Sequence, residues 1–176
     1  MAVLQTLRNF FVPAEPAVAE IIVPAPPTVY DVRPLTHKNL KEVLRLNIRC
    51  FRDGENYTKH TFAYLLNEPK TLSYRVVTPT DEMVGFVVVM VNENGAGHLT
   101  TIGVAPEHRR RGLAHRLLIH TEEALRARAI STVMLEVRVG NTSAQRLYRE
   151  HGYHIAQRIR KYYNNGEDGF LMMKPL

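Results

Sequence analysis

Glu136, Asn141 and Tyr148 set a carboxylate, an amide and a phenol within one short run, LEVRVGNTSAQRLY from Leu135. Val133, Leu135, Val137 and Val139 alternate, which predicts a strand with these four on one face and Glu136 on the other. Asn141 and Tyr148 are seven residues apart, so a following helix carries both on one face, with Ala144 and Gln145 between them. A carboxylate takes up a proton and a phenol gives one up, so their convergence above a strand end suits acid–base work. Taken singly, each residue has a blander use. A strand glutamate is usually solvated or ion-paired, here with Arg138, and a helix tyrosine beside Leu147 usually packs the core. Only the set points to chemistry.

A second feature precedes it. Thr101 to Ala114 reads TIGVAPEHRRRGLA: a strand ends at Pro106, Arg109, Arg110 and Arg111 follow, and Gly112 opens a long helix. The first amides of a helix lack internal partners and carry the positive end of its dipole. Glycine lets a ligand's oxygens approach that backbone, so strand, basic turn and glycine form a phosphate cradle. It is neither a Walker loop nor a GxGxxG fingerprint, since the second glycine and the lysine are absent. Away from a helix start, three arginines are more often a solvated cluster or a nucleic-acid patch.

The elements that must position these groups follow from periodicity. Strands are expected at Val29–Arg33, Thr71–Thr78, Met83–Val91, His98–Val104, Thr132–Val139, Tyr153–Ile159 and Phe170–Lys174. Helices are expected at Asn39–Cys50, Lys59–Leu66, Gly112–Arg128 and Asn141–Glu150, the last capped by its asparagine. The long helix buries Ala114, Leu117, Leu118, Thr121, Ala124 and Leu125 as one stripe. Met83–Val91 is apolar almost throughout, as in a strand covered on both faces, and Asn94-Gly95 turns it back. The expectation is one mixed α/β domain over residues 28–176. Residues 1–27 hold five of the ten prolines and read as an extended tail, with a short helix at Leu4–Val12.

Composition bounds the rest. With 176 residues, 45% apolar and 23% charged, the chain is neither disordered, collagenous nor a disulfide scaffold. The single cysteine, Cys50, fits a reducing cytoplasm and a buried structural thiol. No apolar run reaches the roughly 18 residues of a membrane span. The net charge of +6 favours anionic partners without choosing among them. The eight histidines lack metal-ligand spacing, so no metal is expected. His108, His115 and His120 are expected on exposed helix or turn surface.

Arg109-x-x-Gly112-x-Ala114 resembles the Q/R-x-x-G-x-G/A acyl-CoA motif of the GNAT N-acetyltransferases. The run from Leu135 and the ending KYYNNGEDGFLMMKPL resemble the RimI-type ribosomal-protein alanine acetyltransferases and the archaeal and eukaryotic N-terminal acetyltransferases. The resemblance covers about residues 30–176. It implies a GNAT fold: a central mixed, mostly antiparallel sheet of about seven strands with a splayed parallel pair, flanked by about four helices. It also implies acetyl-CoA as donor. Its pantetheine would lie along Ile102, Gly103 and Val104, its pyrophosphate on Arg109 to Ala114 (Arg110, Arg111, Gly112 and Leu113 included), and Asn141 would hold the pantetheine amide. Glu136 would be general base, Tyr148 general acid to the thiolate, and a strand N–H near Val104 would meet the oxyanion.

Glu55-Asn56-Tyr57 resembles the P-E-N-Y segment that lines the peptide entrance of such enzymes, although Gly54 replaces the proline. Tyr162 and Tyr163 would clamp the acceptor backbone. The implied acceptor is a protein N-terminus, such as that of a ribosomal protein; the alternative acceptor is a lysine side chain or small amine. A basic module that binds RNA without turnover is the rival class, and the Glu136–Tyr148 pair argues against it.

Overall fold

The apolar run Met83–Val91 becomes strand β3, buried along its length except at its last residue, and it sits near the middle of the sheet. The computed structural model describes residues 22–51 and 56–176. In chain order, β1 (Asp31–Pro34) leads through a 3-10 turn at His37–Asn39 into α1 (Leu40–Cys50) and then α2 (Lys59–Asn67). Strand β2 (Thr71–Val77), β3 and β4 (Gly97–Val104) form a meander, and a 3-10 turn at Pro106–His108 leads to α3 (Leu113–Arg126). Then follow β5 (Thr132–Arg138), α4 (Thr142–Glu150), β6 (His154–Ile159) and β7 (Gly169–Pro175). The expected Leu4–Val12 helix lies outside the described residues.

The seven strands form one sheet in the order β1-β2-β3-β4-β5-β7-β6. All neighbours are antiparallel except β4 and β5, which α3 joins as a crossover. That parallel pair is short: Gly97 faces Val133, His98 faces Met134, and no pairing follows. From Leu99 onward the edge of β4 that faces β5 is therefore unpaired, and the sheet opens into a V. Against β3, Val88 faces Thr101 while Val89 faces Leu99, so Thr100 is an extra, bulged residue at the point where the strands part.

Gly103 must be glycine for a packing reason. A Cβ there would stand 2.8 Å from the Phe86 ring and 3.0 Å from Cys50 Sγ. Helices α1 and α2 cover this side with Val43, Leu46, Phe62 and Leu65, while Leu117, Leu118 and Leu125 of α3 are also buried. Among the described residues no helix is long and apolar enough to cross a membrane.

Candidate active site

The opening between β4 and β5 continues into a cleft of about 1180 Å³. Glu136 enters it from β5 and meets His98 of β4, whose Nε2 lies 2.7 Å from Glu136 Oε2. Both side chains are nearly enclosed, at 7% and 4% exposure. A neutral imidazole donates from Nε2 to the carboxylate and keeps Nδ1 as an acceptor. Glu136 Oε1 and His98 Nδ1 are buried without partners among the described residues. Buried polar atoms are normally satisfied, so this pair suits a ligand that brings hydrogen bonds with it.

Tyr148 reaches the same cleft from α4, its ring against Tyr153 at 5.7 Å between centroids. Its hydroxyl has no hydrogen-bond partner among the described residues. Desolvation by burial pushes its pKa above the ordinary phenol value, so the group is present as the neutral donor. The start of α4 is held by two amides. Asn141 Oδ1 accepts the Ala144 N–H at 3.0 Å, and Gln145 Nε2 donates to the carbonyls of Arg138 and Val139 at 2.9 and 2.8 Å. Capping leaves Asn141 Nδ2 for a ligand carbonyl.

At the anion loop, Arg110 and Gly112 adopt left-handed backbone (φ 62° and 72°), and α3 begins directly after them. The three arginines separate. Arg109 Nε donates to the Val104 carbonyl at 3.2 Å and its Nη2 to the Cys50 carbonyl at 3.4 Å, which ties the loop to β4 and α1. Arg111 turns outward to Ala25, Pro26 and Tyr30. Arg110 alone keeps a side chain without a partner among the described residues.

At the opposite end, Tyr57 is buried, its hydroxyl donating to the bulged Thr100 carbonyl at 3.1 Å. Tyr162 and Tyr163 meet edge to face at 5.0 Å. Arg138 lies 4.0 Å above the Tyr163 ring and donates to Glu167 at 2.6 Å and Asn165 at 3.0 Å. Glu167 also accepts the Gly140 N–H at 2.7 Å. The Arg138 guanidinium and then that amide hold its carboxyl below the usual range.

Residues 40–153 match the model of the acetyltransferase (GNAT) family. The chain belongs to that family. Ard1, the catalytic subunit of the N-terminal acetyltransferase A complex of Schizosaccharomyces pombe, is 30% identical over 151 residues, covering 82% of this chain and 84% of the relative. The N-alpha-acetyltransferase daf-31 of Caenorhabditis elegans is 32% identical over 145 residues, covering 78% of each. The crystal structure of the ribosomal-protein-S18-alanine N-acetyltransferase of Escherichia coli aligns with a TM-score of 0.76 at 27% identity, covering 84% of this chain and 94% of the other.

On this GNAT scaffold the expected residues distribute unevenly. Glu136, Tyr148, Tyr57, Tyr162, Tyr163, Ile102, Gly103, Val104, Arg109, Arg110, Gly112, Leu113, Ala114 and Asn141 line the cleft. Arg111 and Asn56 do not. Glu55 lies outside the described residues. Glu136 does not pair with Arg138, which Glu167 holds instead. The expectation of exposed histidines is corrected at His108, which is 5% exposed and hydrogen-bonds the Tyr30 hydroxyl. It is corrected also at His115, which lines the cleft and bonds His151 at 2.6 Å, and at His120, half-buried with its ring on Tyr74. Sequence reasoning missed His98, Gln145 and Glu167. A lone titratable residue in the strand Gly97–Val104 was a signal for the first, because a buried polar group is the informative case.

Proposed function

We propose that this chain transfers the acetyl group of acetyl-CoA to the N-terminal α-amine of a protein, as a RimI-type enzyme working in the cytoplasm. The observation that carries the reading is the His98–Glu136 pair at 2.7 Å, enclosed at the split of β4 and β5 with Tyr148 in the same cleft. The named activities of Ard1 and daf-31 support the α-amine as acceptor.

The donor fits the chain's own groups. The first amides of α3, after the two left-handed residues, suit a diphosphate, and the Arg110 guanidinium adds a free positive charge. The unpaired edge of Ile102–Val104 offers backbone hydrogen bonds to a pantetheine amide, and Asn141 Nδ2 offers another. Acetyl-CoA supplies the activated thioester carbonyl, and the chain supplies the proton handling.

An α-amine titrates near 7.7–8.0 and a lysine near 10.4, so the former needs little help to become neutral. As its nitrogen bonds to the carbonyl carbon, Glu136 takes the surplus proton, directly or through one water. His98 holds that carboxylate through Oε2 and leaves Oε1 for the amine. A backbone N–H near Val104 receives the oxyanion. When the carbon–sulfur bond breaks, Tyr148 donates to the thiolate, and solvent in the open cleft restores both groups. Tyr162 and Tyr163 hold the acceptor backbone, with Glu55, Asn56 and Tyr57 along its entrance.

The deciding assay offers acetyl-CoA with free N-terminal peptides, including ribosomal-protein N-termini, with the same peptides blocked at the N-terminus but carrying lysine, and with polyamines. Acetylation confined to free N-termini is expected. Turnover confined to polyamines would sink the reading.

A further inference from the structure

The three arginines of the anion loop are equivalent in sequence and unequal in space. From His108 to His115 every residue lines the cleft except Arg111. Its guanidinium is turned the other way and held there by three hydrogen bonds: Nη1 to the Pro26 carbonyl at 2.9 Å and to the Tyr30 hydroxyl at 2.6 Å, and Nη2 to the Ala25 carbonyl. The arm answers from its own side. The Ala25 N–H donates to the Glu107 carbonyl at 2.9 Å, and the Tyr30 hydroxyl shares a hydrogen bond with His108 Nδ1 at 2.9 Å with the two rings edge to face. Pro24, Pro26 and Pro27 explain why this segment can do so. They hold the chain extended, and proline brings no N–H to compete, so successive carbonyls stay open to one guanidinium fork.

The held residues surround the strained part of the loop. Arg110, a non-glycine residue, sits at φ 62°, between Arg109 and Arg111. Such a conformation persists only where its neighbours over-determine it. Arg109 is fixed inward to Val104 and Cys50, and Arg111 outward to the arm. Arg110 is left between them with its side chain free.

We propose that residues 25–30 are a strap that sets the anion loop, with Tyr30 and Arg111 as positioning residues, so that affinity for acetyl-CoA depends on a segment that never touches it. The proposal rests on the acetyl-CoA reading above. It assigns the diphosphate to the α3 amides and Arg110, and removes Arg111 from the set of phosphate ligands.

The test is calorimetric binding of CoA to the full chain and to Tyr30→Phe, Ala25→Pro, Arg111→Gln and the Tyr30→Phe/Arg111→Gln double variant. Ala25→Pro deletes only the donor to Glu107, at a residue that Pro26 already biases toward extended backbone, and it keeps every loop side chain. Each single variant should weaken CoA binding about fivefold or more, and the double should lose less than the two singles combined, because they share the Tyr30–Arg111 hydrogen bond. KM for acetyl-CoA should rise while kcat at saturation stays within about twofold, as for lost uniform binding. Wild-type affinity in Tyr30→Phe and Ala25→Pro, with loss and a flatter salt dependence in Arg111→Gln alone, would make Arg111 a phosphate ligand and overturn the strap. A wild-type chain that binds no CoA overturns the acetyl-CoA reading and the strap together.

Discussion

On the proposed reading, the Glu136 carboxylate and the Tyr148 phenol divide the proton work, and each can be removed separately. Glu136→Gln keeps the shape and loses the base, so kcat should fall by about 10² or more with CoA affinity unchanged, measured by steady-state turnover beside calorimetry. Tyr148→Phe should lower kcat by a similar factor of about 10². Its pH behaviour follows from burial. Desolvation raises this phenol above its ordinary value of about 10, and a raised value keeps the proton on as pH climbs. The kcat profile should therefore show no alkaline fall due to Tyr148 below about pH 10; such a fall, abolished in Tyr148→Phe, would contradict the assignment. Glu136 and Tyr148 were legible in the sequence because strand and helix periods are local. His98 was not, because its meeting with Glu136 is set by strand pairing across 38 positions. The partner of Arg138 was not legible for the same reason: Glu167 arrives from the β6–β7 connection, 29 positions on.

Elements turn these residues into a site by where they stop. Strand periodicity and turn residues found all seven strands and four helices to within a few residues, since burial and local propensity agree there. The sequence could not show how far β4 and β5 stay paired, nor the bulge at Thr100, because both are set by partners distant in the chain. Gly103 shows the consequence. It matches the core side of β4 to Phe86 and Cys50, and Gly103→Ala forces a methyl into a 2.8 Å approach. Overpacking of this kind costs about 1–3 kcal/mol, which thermal unfolding should report as a lowered Tm. The β6–β7 connection has its own fastener in Arg138–Glu167–Gly140. Glu167→Gln should raise KM for the peptide with little change in kcat, by loosening the segment that carries Tyr162 and Tyr163. The Glu167 carboxyl lies below its usual value, so its contribution is present above the unfolded pKa of about 4.3 and is lost as pH falls through the lower folded value. Peptide KM that stays constant in Glu167→Gln would detach the fastener from acceptor binding.

At the scale of the molecule, the sheet is two halves hinged at two residue pairs. Strands β1–β4 with α1 and α2 form one side, β5–β7 the other, and Gly97–Val133 and His98–Met134 are the paired positions between β4 and β5. A donor lying along β4, with its diphosphate on α3 and its amide on Asn141 of α4, touches both halves and binds only the folded chain. Linkage then fixes the size of the effect: ligand at one hundred times its dissociation constant adds about 2.7 kcal/mol. For a domain of this length each kcal/mol is worth about 2–4 °C, so acetyl-CoA or CoA at that ratio should raise Tm by roughly 5–11 °C. Because the stabilisation comes from bridging, amide hydrogen exchange should slow along both β4 and β5, and at the start of α3, in one ligand-dependent step. Glu136→Gln should show the same rise, since the proposed role of its carboxylate is with the acceptor's proton and not the donor's phosphates. Protection confined to the α3 end, with β5 exchanging as fast as before, would mean that the ligand binds one half alone and that the open V is not where the thioester lies.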